Sequence, residues 1–332
     1  MSIGDEDGAA VHTEERFGHE VAVEQGMGPV ELIPEAIADV ELAHTAEAVP
    51  RTQWQLFRRR FFRHKMAVIS VAVLVALYVL CFTAKYWVPF DPNKQNLLLG
   101  PVPPNGTHWF GTDELGRDQF SRIFFAGQIS LKIGLAVAVL STLVGATLGA
   151  IAGFFGKVTD QLLMRLTDLF LVVPAIAILA IALKRFGNTD STIILVLAGL
   201  FWMYIARIVR GQVLSIREKE FVEAARAAGA SSPRIIVRHI LPNIIGPIVV
   251  NATLAVATAI ITESTLSFLG FGVQPPATSW GNMLSTAEGY VGTDKAYLLY
   301  FPGLAILVTV LAVNYLGDGL RDAFDPQSEK HT

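Results

Sequence analysis

The residues that could do chemistry are few, and most fail on spacing. A phosphate-cradling loop needs G-x-x-x-x-G-K-[ST]. The only Gly-Lys pair is Gly156-Lys157, with Ile151 where the first glycine should stand and Val158 after the lysine. No nucleotide site is predicted. Cys81 is the only cysteine, which excludes an intrachain disulfide and a cysteine-based metal site. The histidines are scattered, and no pair has metal-ligand spacing. No G-x-S-x-G is present, and no Ser/His or Asp/Asp pair falls at the centre of an apolar run. Two acids remain at the edges of apolar runs, Asp168 and Glu263. Ionisable groups in such places are functional candidates by default. Asp168 follows Arg165 by three residues, the spacing of a surface ion pair on a helix. Glu263 lies 21 residues past Pro242, about 31 Å at 1.5 Å per helical residue. That places it near the far end of its run, lining the mouth of a pathway or wet at the interface.

The elements that carry these groups are set by composition. Of 332 residues, 52% are apolar and only 17% charged, against about 25% charged in soluble domains. Mean hydropathy is +0.47. Uncharged runs cover Met66–Ala84, Ile133–Gly156, Leu169–Leu183, Ser191–Ala206, Ile240–Thr262 and Ala296–Gly317. A bilayer core takes about 20 apolar residues as a helix. The third and fourth runs have only 15 and 16 residues, but Lys184, Arg185, Arg207 and Arg210 flank them and can snorkel. The expected fold is an all-α membrane protein with six transmembrane helices.

Charge divides the chain further. The first 50 residues hold 12 acids and one base, Arg16, leaving 17 acids and 25 bases in the rest. Residues 1–50 are expected to be an acidic, disordered tail, and not a signal peptide. Residues 51–130 then hold a basic lead-in, the first span and an outer loop. Residues 131–318 are the transmembrane core with five helices, and 319–332 a second tail. Arg51, Arg58, Arg59, Arg60, Arg63 and Lys65 precede the first span, and seven Lys/Arg fall within 207–238. Positive-inside counting puts both on the cytoplasmic side, with both termini cytoplasmic in a multi-pass cell (plasma or inner) membrane protein. The loops 89–128 and 270–295 are then external.

Three segments outside the spans have substance. Ser215–Ala228 has strong helix formers, no breaker and Gly229 at its end, so one helix is expected there, with Gly229 at positive φ. Ser232 as N-cap and Pro233 at the first position would start a second helix. In the external loops, Asp113 is expected to cap a short helix. Trp280 and Asn282 stand in Trp280-Gly281-Asn282-Met283, either as an interface anchor or in contact with a delivery protein or pathway mouth. Gly145, Gly149 and Gly153 form a small-residue stripe for close helix packing. Pro174 and Gly246-Pro247 are candidate kinks.

The string Glu223-Ala224-Ala225, three residues, Gly229, then Leu241-Pro242 resembles the EAA signature of permease subunits of binding-protein-dependent ABC importers. One departure is His239, where the family pattern has Ile. Phe110–Arg122, Glu220–Asn243, Leu266–Leu284 and Gly317–Pro326 resemble the dipeptide/oligopeptide branch, and its second permease subunit in particular. The resemblance covers about residues 55–326. It implies an ABC importer permease fold with a cytoplasmic coupling helix within about 215–240. Glu220, Glu223, Ala224, Ala225, Gly229, Ala230, Leu241 and Pro242 would contact the ATPase, with Ala225 on the surface entering its groove. It implies a homologous second permease, two ABC ATPase subunits, an external substrate-binding protein and a peptide substrate as partners, in a lipid bilayer and without nucleic acid. ATP and Mg would be bound by the ATPase subunits, and this chain would be no enzyme and hold no cofactor. Glu263, Trp280 and Asn282 would be pathway or outer-mouth residues. Nickel and glutathione importers share these motifs. The rival of another class is an ATP-independent secondary carrier, which predicts a charged or polar midplane.

Overall fold

The uncharged runs are helical almost throughout, because in hydrocarbon only internal pairing satisfies the backbone. The computed structural model describes residues 53–324. The acidic tail, Arg51 and the Asp325-Pro326 end lie outside the described residues. The helices in chain order are α1 (Gln53–Arg63), α2 (Lys65–Phe82), the short α3 (Ala84–Trp87), α4 (Gln119–Phe155), α5 (Lys157–Val172), α6 (Ala175–Phe186) and α7 (Asp190–Ile216). There follow α8 (Glu220–Ala227), α9 (Ser232–Ile235), α10 (Ile245–Phe268), α11 (Trp280–Ala287) and α12 (Tyr297–Phe324). No strand occurs among the described residues.

Five helical segments are long and apolar enough to cross a membrane: α2, α4, α7, the stretch Ser232–Phe268, and α12. The sixth expected span is a broken one. The run Leu169–Leu183 is not one straight helix, because α5 and α6 meet at an angle of 86°. The break falls at Val173-Pro174, where Val173 is extended at φ −82° and ψ 135°. Proline disfavours the helical conformation in the residue before it.

The second span is also longer than its apolar run. Asp118 caps it by accepting from the backbone N–H of Ser121 at 2.8 Å, so the helix starts at Gln119 and the external loop is shorter than expected. A boundary at residue 130 falls inside this helix and divides nothing. From Trp54 onward the described chain is one compact unit.

The glycine stripe does what its spacing predicts. Gly145, Gly149 and Gly153 are buried along α4 and face α7. A Cβ on Gly145 would stand 2.6 Å from the Trp202 carbonyl oxygen. Contact that close brings dispersion and packing into play where lipid supplies no hydrophobic drive. α10 packs on α4 and α12, and α2 packs on α12. No sharp bend is recorded at Gly246-Pro247. The irregularity lies just before it, in a π turn at Ile236–Ile240 and a 3-10 turn at Leu241–Ile244. Pro242 has no N–H and its ring crowds the carbonyl four residues back, so the helical register widens before it and tightens after it.

Candidate functional site

Between α7 and α10 the chain turns back on itself. The single helix expected over Ser215–Ala228 is broken: α7 ends at Ile216, a turn occupies 217–219, and α8 begins at Glu220. Propensity alone favours continuity, but tertiary contacts override it. The Arg217 guanidinium donates to the Gly153 carbonyl at 2.8 Å. Val222 is fully buried in a cluster with Val209, Val213, Ile235, Ile236 and Ile240. This one side chain anchors α8. Around it Glu220, Phe221, Glu223, Ala224, Arg226, Ala227 and Ala228 are exposed.

Gly229 closes α8 with φ +78°, as predicted. The Ala230 N–H donates to the Ala225 carbonyl at 3.1 Å and the Gly229 N–H to Arg226 at 3.0 Å, a glycine-type helix C-cap. A Cβ at Gly229 would meet nothing within 4 Å, so only the backbone conformation demands glycine. The N-cap of α9 is Ser231 and not Ser232, and no side-chain cap bond forms. Ala225 is also displaced from its expected place. It is half-buried and, with Ala230 and Leu241, packs against the protein's own Val222 cluster. The open face of α8 is carried by Glu220, Glu223 and Ala224, and Pro242 is exposed beyond it.

Away from α8, helices α5, α6, α7 and α10 surround an open cleft of about 740 Å³. Its walls come from the break at Val172–Ile176, from Tyr204 and Ile208, and from one face of α10. That face presents Asn251, Thr258, Thr262 and Thr265. The three threonine hydroxyls donate to the carbonyls four residues back, at 3.0, 2.8 and 2.8 Å. No charged residue lines the cleft. Of these lining groups, only the kink at Pro174 was singled out by sequence, and the hydroxyl row on α10 was missed. Its signal was present in the spacing of 251, 258, 262 and 265 on one helical face.

The acids sit differently from expectation. Asp168 is 3.9 Å from Arg165, but Arg207 of α7 contacts it directly and also donates to Thr167 at 3.2 Å. Asp160 of α5 receives Arg210 at 2.5 and 2.6 Å. Asp113 caps no helix. It accepts from the backbone N–H groups of Leu115 and Arg117 and pairs with the Arg117 side chain at 2.8 Å.

Glu263 is not at an exposed mouth. It is completely buried, accepting from Ser130 at 3.2 Å and Ser267 at 2.7 Å. Trp280 is neither an interface anchor nor exposed to a partner. It is 1% exposed, and its indole N–H donates to the Ile123 carbonyl at 2.9 Å. Asn282 is half-buried in the first turn of α11, its N–H bonded to Ser279 at 3.2 Å. Two of the three outer-mouth candidates are thus core residues. The 31 Å rise to Glu263 is consistent with its place five residues before the end of α10. Its burial comes from the segment after the helix, which folds back over it.

Residues 145–330, more than half of the chain, match the family described as the binding-protein-dependent transport system inner membrane component. The chain belongs to that family. In this permease, residues 52–101 further match the N-terminal transmembrane domain of oligopeptide transport permease C. The oligopeptide transport system permease protein OppC of Bacillus subtilis (strain 168) is 40% identical over 277 residues, which cover 83% of this permease and 90% of the relative. The protein of that name from Mycobacterium tuberculosis H37Rv is 42% identical over 274 residues, 81% of this permease and 93% of the relative. A chain of Brucella suis biovar 1 named as a peptide permease is 40% identical over 291 residues, covering 87% and 96%. As a family member this permease is a multi-pass membrane transport component.

Proposed function

We propose that this permease is one of two homologous membrane subunits of an ATP-driven peptide importer. α8 is its coupling helix, and the cleft beside α10 is its half of the translocation pathway. The observation that carries this reading is the mounting of α8. One buried anchor, Val222, holds a two-turn helix whose acidic and alanine face is left open. Small side chains on that face admit close approach by the groove of another protein. Glu220, Glu223, Ala224, Gly229 and Pro242 form the contact or its turn, while Ala225, Ala230 and Leu241 support it from behind.

ATP and Mg belong to two partner ATPase subunits, and this chain carries no cofactor. Force from the closing ATPase pair enters at α8 and passes through the Val222 cluster to α7 and to the irregular turns that start the fifth span. The relatives' names favour peptides, and the cleft chemistry agrees. Its hydroxyls and one amide suit a peptide backbone. It has no carboxylate, thiolate or imidazole for a bare divalent cation such as nickel. Positive-inside counting keeps α8 and both termini in the cytoplasm, and α11 outside. Domain roles follow: a dispensable acidic tail, a first-span region, the permease core and a short C-terminal tail.

Purification of the native complex through a tag on this chain tests the reading. It should bring down a second permease and two ATPases, with a peptide-binding protein added on crosslinking. Recovery of this chain alone or as a self-complex, with uptake that survives ATP depletion, would instead establish the secondary carrier.

A further inference from the structure

We propose that Glu263 is the positioning residue for the outer segment 270–287, and through it for the outer end of the cleft. The carboxyl group is the hub of a two-layer hydrogen-bond relay. In the first layer Ser130 of α4 and Ser267 of α10 donate to it at 3.2 and 2.7 Å, and Ser279, the N-cap of α11, stands beside it. In the second layer each of those hydroxyls accepts one backbone N–H of the outer segment. Ser130 accepts Trp280 at 3.3 Å, Ser267 accepts Val273 at 3.1 Å, and Ser279 accepts Asn282 at 3.2 Å.

The hub's chemistry matters to the sense of the relay. The carboxyl oxygens accept from Ser130 and Ser267, so those two serine protons turn inward and their lone pairs are left for an incoming N–H. An amide in its place would present two protons to three hydroxyls. A hydroxyl facing those protons must turn its own proton away from the hub and spend a lone pair on the amide, which shifts the oxygen that holds the backbone N–H.

The relay fixes more than a loop. Gly272 lies against Ser267 and Gly281 against the Ser264 backbone, leaving no room for a Cβ at either. On its far side the segment reaches the connection between α6 and α7. The Asn188 amide donates to the carbonyls of Phe271 and Gly272 at 2.9 and 3.0 Å, and Val273 is buried in one cluster with Leu183 and Leu197. That connection follows α6, whose first residues at the break wall the cleft. On α10 itself Thr262 and Thr265 line the cleft, one residue before and two after Glu263. One turn of helix therefore carries the cleft on one face and the relay on the other. The transport consequence rests on the importer reading proposed above, but the relay does not.

The test is hydrogen exchange of the complex purified through this chain, in lipid nanodiscs, for Glu263→Gln. Peptides covering Val273, Trp280 and Asn282 should exchange at least tenfold faster, while peptides from α7 keep the wild-type rate. Ser130→Ala removes one spoke and should act in the same direction, concentrated at Trp280. Ser141→Ala removes a buried hydroxyl of the same helix that bonds only the Ala138 carbonyl, and should change nothing in 270–287. In cells with the complete system, Glu263→Gln should lower uptake of a labelled tripeptide at least fivefold. Unchanged exchange in both Glu263→Gln and Ser130→Ala overturns the proposal, as does a rise spread evenly over α7 and the outer segment. Local exchange with wild-type tripeptide uptake overturns the role in transport. If the wild-type system takes up no tripeptide, the peptide reading fails, and the exchange result decides Glu263 alone. Should Glu263→Gln fail to accumulate, Ser130→Ala and Ser267→Ala carry the same comparison.

Discussion

Two stretches flank the fifth span and are tied down in opposite ways. At one end, 217–244 is built from a two-turn α-helix, a one-turn helix, a π turn and a 3-10 turn. It is fastened mainly by Val222 and its neighbours, with most of α8 exposed. At the other end, 270–287 is fastened by a buried carboxyl relay, a buried indole and two glycines pressed on α10. The first has the low local stability and open face of a surface that receives another protein. The second has the preorganisation of a surface that must hold its shape. Exposure, more than sequence distance from a span, separates a docking element from a structural one.

Attacking the anchored end should have the largest effect. Trp280→Ala removes a buried indole packed with Ile123, Leu131 and Met283, and large-to-small changes of this kind cost about 3–5 kcal/mol. Loss of folded protein should be evident as a fall in the unfolding midpoint in detergent and in membrane yield. A midpoint equal to wild type would put the indole outside the core.

Attacking the open end should leave folding nearly intact and remove transport. Gly229→Val forces a β-branched residue into the left-handed region at φ +78°, which costs about 1–2 kcal/mol at one exposed turn. Peptide uptake should fall at least tenfold, about 1.4 kcal/mol of coupling, with much less loss of yield than for Trp280→Ala. A collapse of yield equal to that of Trp280→Ala would erase the contrast between the two ends.

The smallest effect is expected outside both. Deleting residues 2–48 removes an acidic stretch beyond the family match, and uptake should stay within about twofold. Loss of the complex on purification would make the tail a structural part.

Five of the six expected spans were legible because a bilayer demands length and apolarity, which are local properties of sequence; the third run was legible as apolar but not as bent. The Gly145–Gly149–Gly153 stripe and the turn at Gly229 were legible for a similar reason: each reflects a rule about one helix face or one backbone conformation. What escaped was long-range. Glu263 reads as an interfacial acid until Ser130, 133 residues away, and Ser279 close around it. Trp280 reads as an interface aromatic until its indole finds Ile123, 157 residues away. The helix break at 217–219 escaped because helix formers fill that stretch, while Arg217 is drawn to the Gly153 carbonyl. Ala225 matched the family signature, yet the signature does not say which of two adjacent alanines faces outward.

That last point yields the most direct test of the coupling role of α8. Ala224 is exposed and Ala225 is half-buried against the Val222 cluster. Ala224→Arg is therefore a surface change, expected to alter stability by no more than about 0.5 kcal/mol, while blocking a groove that approaches α8. The measurement is ATP hydrolysis stimulated by peptide-loaded binding protein, together with peptide uptake, in vesicles holding the whole complex. Ala224→Arg should assemble with an unfolding midpoint close to wild type and lose at least tenfold in both activities. Stimulated hydrolysis and uptake at wild-type levels would show that the open face of α8 is not where this permease meets its ATPase.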